Sequence, residues 1–146
     1  MKIAIAMTSN HRVYHNNPCT APKFAIYSIH KEKAEVSFSL NAIFDNPVSS
    51  RNAEAFRDEE INCDCSVERQ KDFSHACEHY ALLDVIGGSS YLLADKYCKN
   101  TLRSLNNGGV SIYKIPSIIH EVDIAIKNFL LGAYYASTVQ HIHHAS

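Results

Sequence analysis

The 146-residue sequence lacks any apolar run that approaches the ~20 residues needed by a membrane-spanning helix. It also lacks the Gly-x-Gly-x-x-Gly and Gly-Lys-Ser/Thr patterns of nucleotide-binding loops, and no serine or cysteine stands in a recognisable nucleophile motif. A formal net charge of −1 gives no excess of cations to attract nucleic acid. We therefore expect neither a membrane nor a nucleic-acid partner, and the sequence offers no support for a nucleophilic hydrolase.

Cysteine is present in an odd number, five, and the first residues, MKIAIAM, are too short for the apolar core of a signal peptide. We therefore expect a cytoplasmic protein in a reducing compartment. Its thiols should be free or metal-bound, because disulfide frameworks belong to oxidising compartments.

Hydrophobic patterning predicts one α/β domain over residues 1–132 and a flexible tail over 133–146. Short apolar or alternating runs predict strands, and apolar residues at helical spacing predict helices. A strand-to-helix turn is predicted at Gly87-Gly88, with Ser89 or Ser90 as the N-cap of the helix that follows. The predicted strands are 3–7, 24–29, 35–44, 85–86 and 110–115, and the predicted helices are 73–83, 91–105 and 117–131, with Gly132 as the final cap.

This β-β-β-α-β-α-β-α order predicts a ribonuclease-H-like mixed five-stranded sheet with helices on both faces. The first three strands should pair antiparallel, and right-handed crossovers place the later strands parallel to the first. Open α/β sheets bind ligands at the carboxyl ends of strands, so loop 8–22, loop 45–72 and the Gly87-Gly88 turn should meet at one edge. A nuclease of this fold needs carboxylates on strands one and four, and only Asp84 stands near either, at the entry of the fourth.

Four soft-metal ligands lie in and beside loop 45–72. Cys63 and Cys65 form a Cys-x-Cys pair, and His75 and His79 lie one helical turn apart on one face. Two thiolates with two imidazoles could close a tetrahedral zinc site or hold iron. Because Cys-x-Cys is less diagnostic than Cys-x-x-Cys, a metal site and incidental side chains both stay open.

The glycine turn also has two interpretations. Backbone N–H groups of Gly87, Gly88 and Ser89 could receive an anionic cofactor at a helix start. Alternatively, the glycines serve only a sharp turn and close packing.

Several short motifs resemble the dinitrogenase iron–molybdenum cofactor biosynthesis family, the small NifX/NafY-type domain also found at the end of NifB. They are MKIAIAM at the start, APKFAIYSI at 21–29, DVIGGSS at 84–90 and NNGGVSIYKI at 106–115. The resemblance implies the ribonuclease-H-like sheet without nuclease activity. It also implies that the protein binds, carries or protects iron–sulfur cofactor precursors during nitrogenase assembly.

One departure from the family concerns its cluster ligand. The family carries His-Phe-Gly-Arg before the Ala-Pro of the second strand, and its histidine is taken as the ligand. Here that position is Asn17, with His15 two residues upstream and Cys19 two residues downstream. The ligand is therefore replaced by Cys19, supplied by His15, or lost.

The resulting expectation is a non-enzymatic protein that holds an iron–sulfur cluster or a precursor of the iron–molybdenum cofactor through thiolate and imidazole. It would pass this cargo to an assembly or acceptor protein of the nitrogenase type, and self-association is left open. The alternative is an interaction or regulatory domain with a structural zinc on the Cys63/Cys65/His75/His79 group. A metal-free binding domain is the third interpretation.

Overall fold

The structure is a computed structural model that describes residues 1–33, 35–47, 81–133 and 138–142. The strands in these residues form one mixed sheet with helices on both faces, which confirms the predicted α/β class. The strands are β1 (Lys2–Met7), β2 (Lys23–Glu32), β3 (Glu35–Asp45), β4 (Tyr91–Ala94), β5 (Ser111–Lys114) and β6 (Thr138–Ile142). The helices are α1 (Leu83–Ile86), α2 (Lys99–Asn107) and α3 (Val122–Ala133), and a short 3-10 turn spans Pro18–Thr20.

The strand order in the sheet is β5-β4-β1-β2-β3-β6. Strands β1, β2 and β3 pair antiparallel, as predicted. Strand β4 pairs parallel with β1, and β5 pairs parallel with β4, as helical crossovers require. The sheet has six strands rather than the predicted five, because β6 adds in parallel to the free edge of β3. The ribonuclease-H-like assignment stays a prediction.

Strand β1 is apolar and buried from Ile3 to Met7, as expected of a strand with both faces covered. Ile3, Ile5 and Met7 belong to one buried cluster, whereas Ala4 and Ala6 belong to the other. The first cluster includes the inner side of α3, with Ala125, Ile126, Phe129 and Leu130 fully buried. The second contains Leu82, Ile86 and Leu105 from α1, α2 and the residues beside them.

Two predicted elements are wrong. Val85 and Ile86 are not a strand but the end of α1, and the predicted helix 91–105 contains both β4 and most of α2. Leu92 and Leu93 are fully buried between β1 and β5, so pairing on both sides makes this segment a strand despite its helix-compatible spacing. The N-cap of α2 is accordingly Cys98, whose sulfur accepts a hydrogen bond from the Thr101 amide, and not Ser89 or Ser90.

The last helix and the tail also differ from prediction. Helix α3 begins at Val122 rather than near Ser117, and Gly132 lies inside it instead of capping it. Residues 138–142 of the predicted flexible tail form β6. None of the helices in the described ranges is long and apolar enough to cross a membrane.

Candidate functional site

Loop 8–22 and the start of loop 45–72 meet at one end of the sheet, as predicted, where Asn46 donates to the Cys19 and Ala21 carbonyls. The predicted common edge is wrong for the Gly87-Gly88 turn, which lies at the opposite end. Loop 8–22 leaves the carboxyl end of β1, whereas Gly87, Gly88 and Ser89 precede the amino end of β4. Strands β1 and β4 run parallel, with Ile3 opposite Tyr91, so the two segments are separated by the length of the strands.

The Gly87-Gly88-Ser89 turn follows α1 and leads into β4, so no helix begins there and the predicted anion site at a helix start is wrong. A Cβ at Gly87 would lie 2.4 Å from the Leu83 carbonyl oxygen, and Gly88 has a φ of +95°. Ser89 is buried, and its amide donates to the Ile86 carbonyl. These residues serve the helix-to-strand turn, which is the structural interpretation given above.

Asn17 and Cys19 lie in the scaffold of loop 8–22. Both are about 5% exposed or less. The Asn17 side-chain oxygen accepts hydrogen bonds from the Thr101 hydroxyl at 2.9 Å and from the Cys19 amide at 3.4 Å. Asn46, fully buried, donates its side-chain amide to the Cys19 and Ala21 carbonyls. The loop is therefore fixed to α2 and to the end of β3, and the Cys19 thiol packs in the second apolar cluster, away from solvent.

His15 is the predicted residue that reaches the surface of this loop, with a side chain 25% exposed. Its Nδ1 lies 2.9 Å from Oδ2 of Asp95, a residue that follows β4 directly and is only 2% exposed. The carboxyl ends of the neighbouring parallel strands β1 and β4 thus bring together two residues 80 positions apart. This is the place where open α/β sheets bind ligands.

The Asp95 carboxylate is held on its other oxygen as well. Lys114 Nζ, at 3.0 Å, and the Ser117 hydroxyl, at 3.0 Å, both donate to Oδ1, and Lys114 also donates to the Asp95 carbonyl. Burial alone would raise the pKa of Asp95, but the hydrogen bonds from Lys114, His15 and Ser117 and the Lys114 charge outweigh it and hold the pKa below its ordinary value. Asp95 is therefore an ionised acceptor at neutral pH.

His120 completes the cluster from the segment before α3. Its Nδ1 lies 3.1 Å from Nε2 of His15, and the two rings meet edge to face with centroids 4.9 Å apart. The backbone supports this approach, because the Val13 amide donates to the His120 carbonyl at 3.0 Å. Arg12 and Glu121 add an ion pair at 3.3 Å, whose exposed side chains make it a small contribution.

These contacts define the hydrogen-bonding of the His15 ring. Because the ionised Asp95 can only accept, Nδ1 of His15 carries the proton and donates it. The neutral ring then presents a lone pair at Nε2, which accepts from Nδ1–H of His120. A row of hydrogen bonds from Asp95 through His15 to His120 results, in which the Nε2 lone pair of His15 is engaged by His120. This row can bind a metal, or it can take up a proton.

Asp95 also affects the nuclease interpretation. That interpretation was set aside because the sequence showed no carboxylate at the carboxyl end of the predicted fourth strand. With β4 at 91–94, Asp95 does stand at that end, so this part of the argument is wrong. Its two oxygens are nonetheless occupied by Lys114, Ser117 and His15. Strand β1 supplies no acidic partner, so these two strands do not form the carboxylate pair that holds catalytic metals.

The four predicted metal ligands Cys63, Cys65, His75 and His79 lie outside the described residues. Within residues 1–33, 35–47, 81–133 and 138–142, no group of three or more His, Cys, Asp or Glu side chains is arranged to hold a metal ion.

Four residues of the cluster were missed by sequence reasoning: Asp95, Lys114, Ser117 and His120. None of the four was singled out as a candidate site residue. The signal for Asp95 was its place directly after an apolar run, YLLA, which would have been informative had that run been assigned to a strand.

No family model matches the chain, and no curated protein matches it with significance. Among solved structures, the chain is similar to one described as "Crystal structure of PH0822", with a TM-score of 0.50 and 10% sequence identity over 91% of this chain and 92% of that one. At this identity the similarity shows a shared fold alone. The α/β fold is thus common to both, and the resemblance to the nitrogenase cofactor family stays a prediction.

Proposed function

We propose that the protein is a non-enzymatic carrier of an iron–sulfur-containing cofactor or cofactor precursor, with His15 as a protein ligand. The observation that carries the proposal is the buried Asp95 carboxylate, which holds His15 by Nδ1, so that Nε2, which faces the exposed His120, is the nitrogen left for a metal. A histidine that binds a metal almost always donates its other ring N–H to such an acceptor, which fixes the tautomer and orients the ring.

The geometry favours His15 among the three ways in which the family ligand could have changed. The Asn17 side chain is engaged by Thr101 inside the loop, and the Cys19 thiol is buried in an apolar cluster. His15 lies on the same loop and faces out of the sheet edge. Imidazole nitrogen replaces thiolate on iron in some natural iron–sulfur centres, so a single histidine is a chemically suitable anchor for a cargo that brings its own sulfide.

The surroundings of the site suit transfer to a partner protein. Ile118 is 85% exposed and Tyr97 is 38% exposed, and they stand two residues from His120 and Asp95 respectively. We propose these two exposed apolar side chains as contacts for an acceptor protein. We propose an assembly or acceptor protein of the nitrogenase type as this partner, and the cytoplasm as the location.

The test is capture of iron and sulfide by protein purified without oxygen. We expect bound iron by elemental analysis and charge-transfer absorption in the wild type, and a clear loss of both in His15→Ala. His30→Ala is the matched control, because His30 is an exposed histidine on β2 at the opposite end of the sheet. Cys19→Ala should retain the cargo, since its thiol is buried.

Three outcomes would overturn this proposal. Wild-type protein that binds no iron and shows no charge-transfer absorption is not a carrier of this cargo. If His15→Ala still binds iron and sulfide but a Cys63→Ser/Cys65→Ser variant does not, the cargo is bound by the Cys63/Cys65/His75/His79 group instead. Hydrolysis of a model ester that depends on His15 would instead assign the Asp95–His15 pair to general base catalysis.

A further inference from the structure

We infer that His15 and His120 together form a site for one divalent transition-metal ion, bound through His15 Nε2 and His120 Nδ1. This inference deepens the proposed function, because it rests on the same His15 site and gives it a second protein ligand. Imidazole nitrogen is a good ligand for iron, nickel, copper, cobalt and zinc ions, and such ions are the class expected here.

The distance between the two nitrogens is the main argument. They are 3.1 Å apart in the structure. Two nitrogens bound to one ion at ~2.1 Å with a tetrahedral angle stand about 3.4 Å apart. The pair therefore needs to open by only a few tenths of an ångström to admit an ion, and the rings already meet at an interplanar angle of 71° rather than stacking.

The protonation of the pair is compatible with an ion between the two rings. Asp95 keeps the His15 proton on Nδ1, so the Nε2 lone pair is available. His120 needs only to carry its proton on Nε2, which is the other neutral tautomer, to present a lone pair at Nδ1. No change in net charge of the two rings is required.

Asp95 acts in this site as a positioning residue and not as a ligand. Its Oδ2 is bonded to His15, and its Oδ1 is bonded to Lys114 and Ser117. The pair therefore offers two metal ligands, and the described residues contain no group of three or more. His120 is exposed and the His15 side chain is 25% exposed, so water or the ligands of a cargo can reach the ion.

The backbone pre-organises the two histidines. They belong to different loops, 105 residues apart in sequence, and the Val13 amide to His120 carbonyl bond ties these loops together. Because this bond uses main-chain atoms, replacing the His120 side chain leaves it in place. A side-chain variant therefore removes the ligand without removing the link between the loops.

The experiment is a titration of the full-length reduced protein with Co²⁺, followed by proton NMR and by calorimetry. All variants carry Cys63→Ser and Cys65→Ser, so that the other predicted metal group loses its thiolates. Bound Co²⁺ should give paramagnetically shifted imidazole resonances from two rings. His15→Ala and His120→Ala should each remove both sets, because the ion leaves when either ligand is lost, and His120→Asn serves if the alanine variant does not fold. Asp95→Asn should weaken binding about 10–100-fold, and His30→Ala should change nothing.

The double variant His15→Ala/His120→Ala should bind no more weakly than either single variant, because both changes remove the same ion. Shifted resonances that persist in either single variant, or that disappear equally in His30→Ala, would overturn the inference. The two proposals fail separately. If the His15/His120 pair binds Co²⁺ but the protein captures no iron and sulfide, only the carrier function is refuted. If the protein captures iron and sulfide equally well without His120, and the pair binds no Co²⁺, only this inference is refuted.

Discussion

Asp95 is the residue on which the candidate site depends. Its buried charge is stabilised by three donors from three parts of the chain: Lys114 at the end of β5, Ser117 in the following loop, and His15 after β1. A hydrogen bond to a charged group contributes about 1.5–3 kcal/mol to stability. This is more than a hydrogen bond between two neutral groups contributes. Asp95 therefore joins two loops as well as orienting a ring.

Asp95→Asn is expected to lower the free energy of unfolding at neutral pH by about 1.5–3 kcal/mol. Because the folded-state pKa of Asp95 is below its ordinary value, the stabilisation is present above the unfolded pKa and is lost as the pH falls through the folded pKa. The difference between wild type and variant should therefore shrink as the solution is acidified below the ordinary aspartate pKa of about 3.9. Urea denaturation at neutral and acidic pH measures it.

Asp84→Asn is the control for this change, because Asp84 is an exposed aspartate on α1. It should leave the unfolding curve nearly unchanged at both pH values. An Asp95→Asn variant as stable as the wild type at neutral pH, or a stability difference that grows in acid, would contradict the role given to this carboxylate.

The helix-to-strand turn between α1 and β4 is the element that most clearly separates what the sequence predicts from what it does not. Glycines at 87 and 88 correctly predict a sharp turn. The prediction placed a strand before the glycines and a helix after them, whereas the structure has a helix before them and a strand after them. The runs VI and YLLA are both short and apolar, and such runs fit a strand or a buried helix. Only pairing with β1 and β5 assigns YLLA to the sheet, and such pairing is not local information.

Gly87→Ala should destabilise this turn by about 1–3 kcal/mol, because the new Cβ would lie 2.4 Å from the Leu83 carbonyl oxygen, which cannot move without disturbing α1. Ser90→Ala, at an exposed position in the same turn, should have little effect. Thermal unfolding of both variants measures the difference. Equal melting temperatures would show that the backbone adjusts freely here.

The three-strand meander and α3 were predictable for a different reason. Alternation in β3, with Val36 and Phe38 buried, and the inner face of α3, with Ile126 and Phe129 buried, are periodic over enough residues to decide the element type. The site was not predictable in this way. His15 was identified from its loop, but Asp95 and His120 are 80 and 105 residues away, and no spacing in the sequence relates them.

At the scale of the whole molecule, the short strand β6 (5 residues) replaces the longer β3 (11 residues) as the outer strand of the sheet, and short edge strands limit edge-to-edge pairing. It pairs with β3 from Glu35 to Ser39, and β3 would be the last strand without it. An exposed strand edge offers unpaired N–H and C=O groups to another chain. The segment predicted as a loose tail thus has a place in the architecture, and it bears on self-association.

A chain that ends at Ala133 should associate with itself or lose stability, because β3 then exposes its backbone donors and acceptors. A chain that ends at Ile142 is the matched control, since it keeps β6 and removes only residues 143–146. Sedimentation velocity at several concentrations compares their masses with that of the full-length protein. Identical mass and melting temperature for all three chains would show that β6 does not protect this edge.

The central claim is that a histidine at the carboxyl edge of β1 binds an iron–sulfur cargo. Pulsed EPR of the reduced, loaded protein tests it most directly, because a nitrogen ligand on the cluster produces a ¹⁴N coupling that thiolate ligands do not. We predict this coupling in the wild type, in His30→Ala and in Cys19→Ala, and its loss in His15→Ala. A loaded wild-type protein without ¹⁴N coupling, or a coupling unchanged in His15→Ala, would contradict the claim.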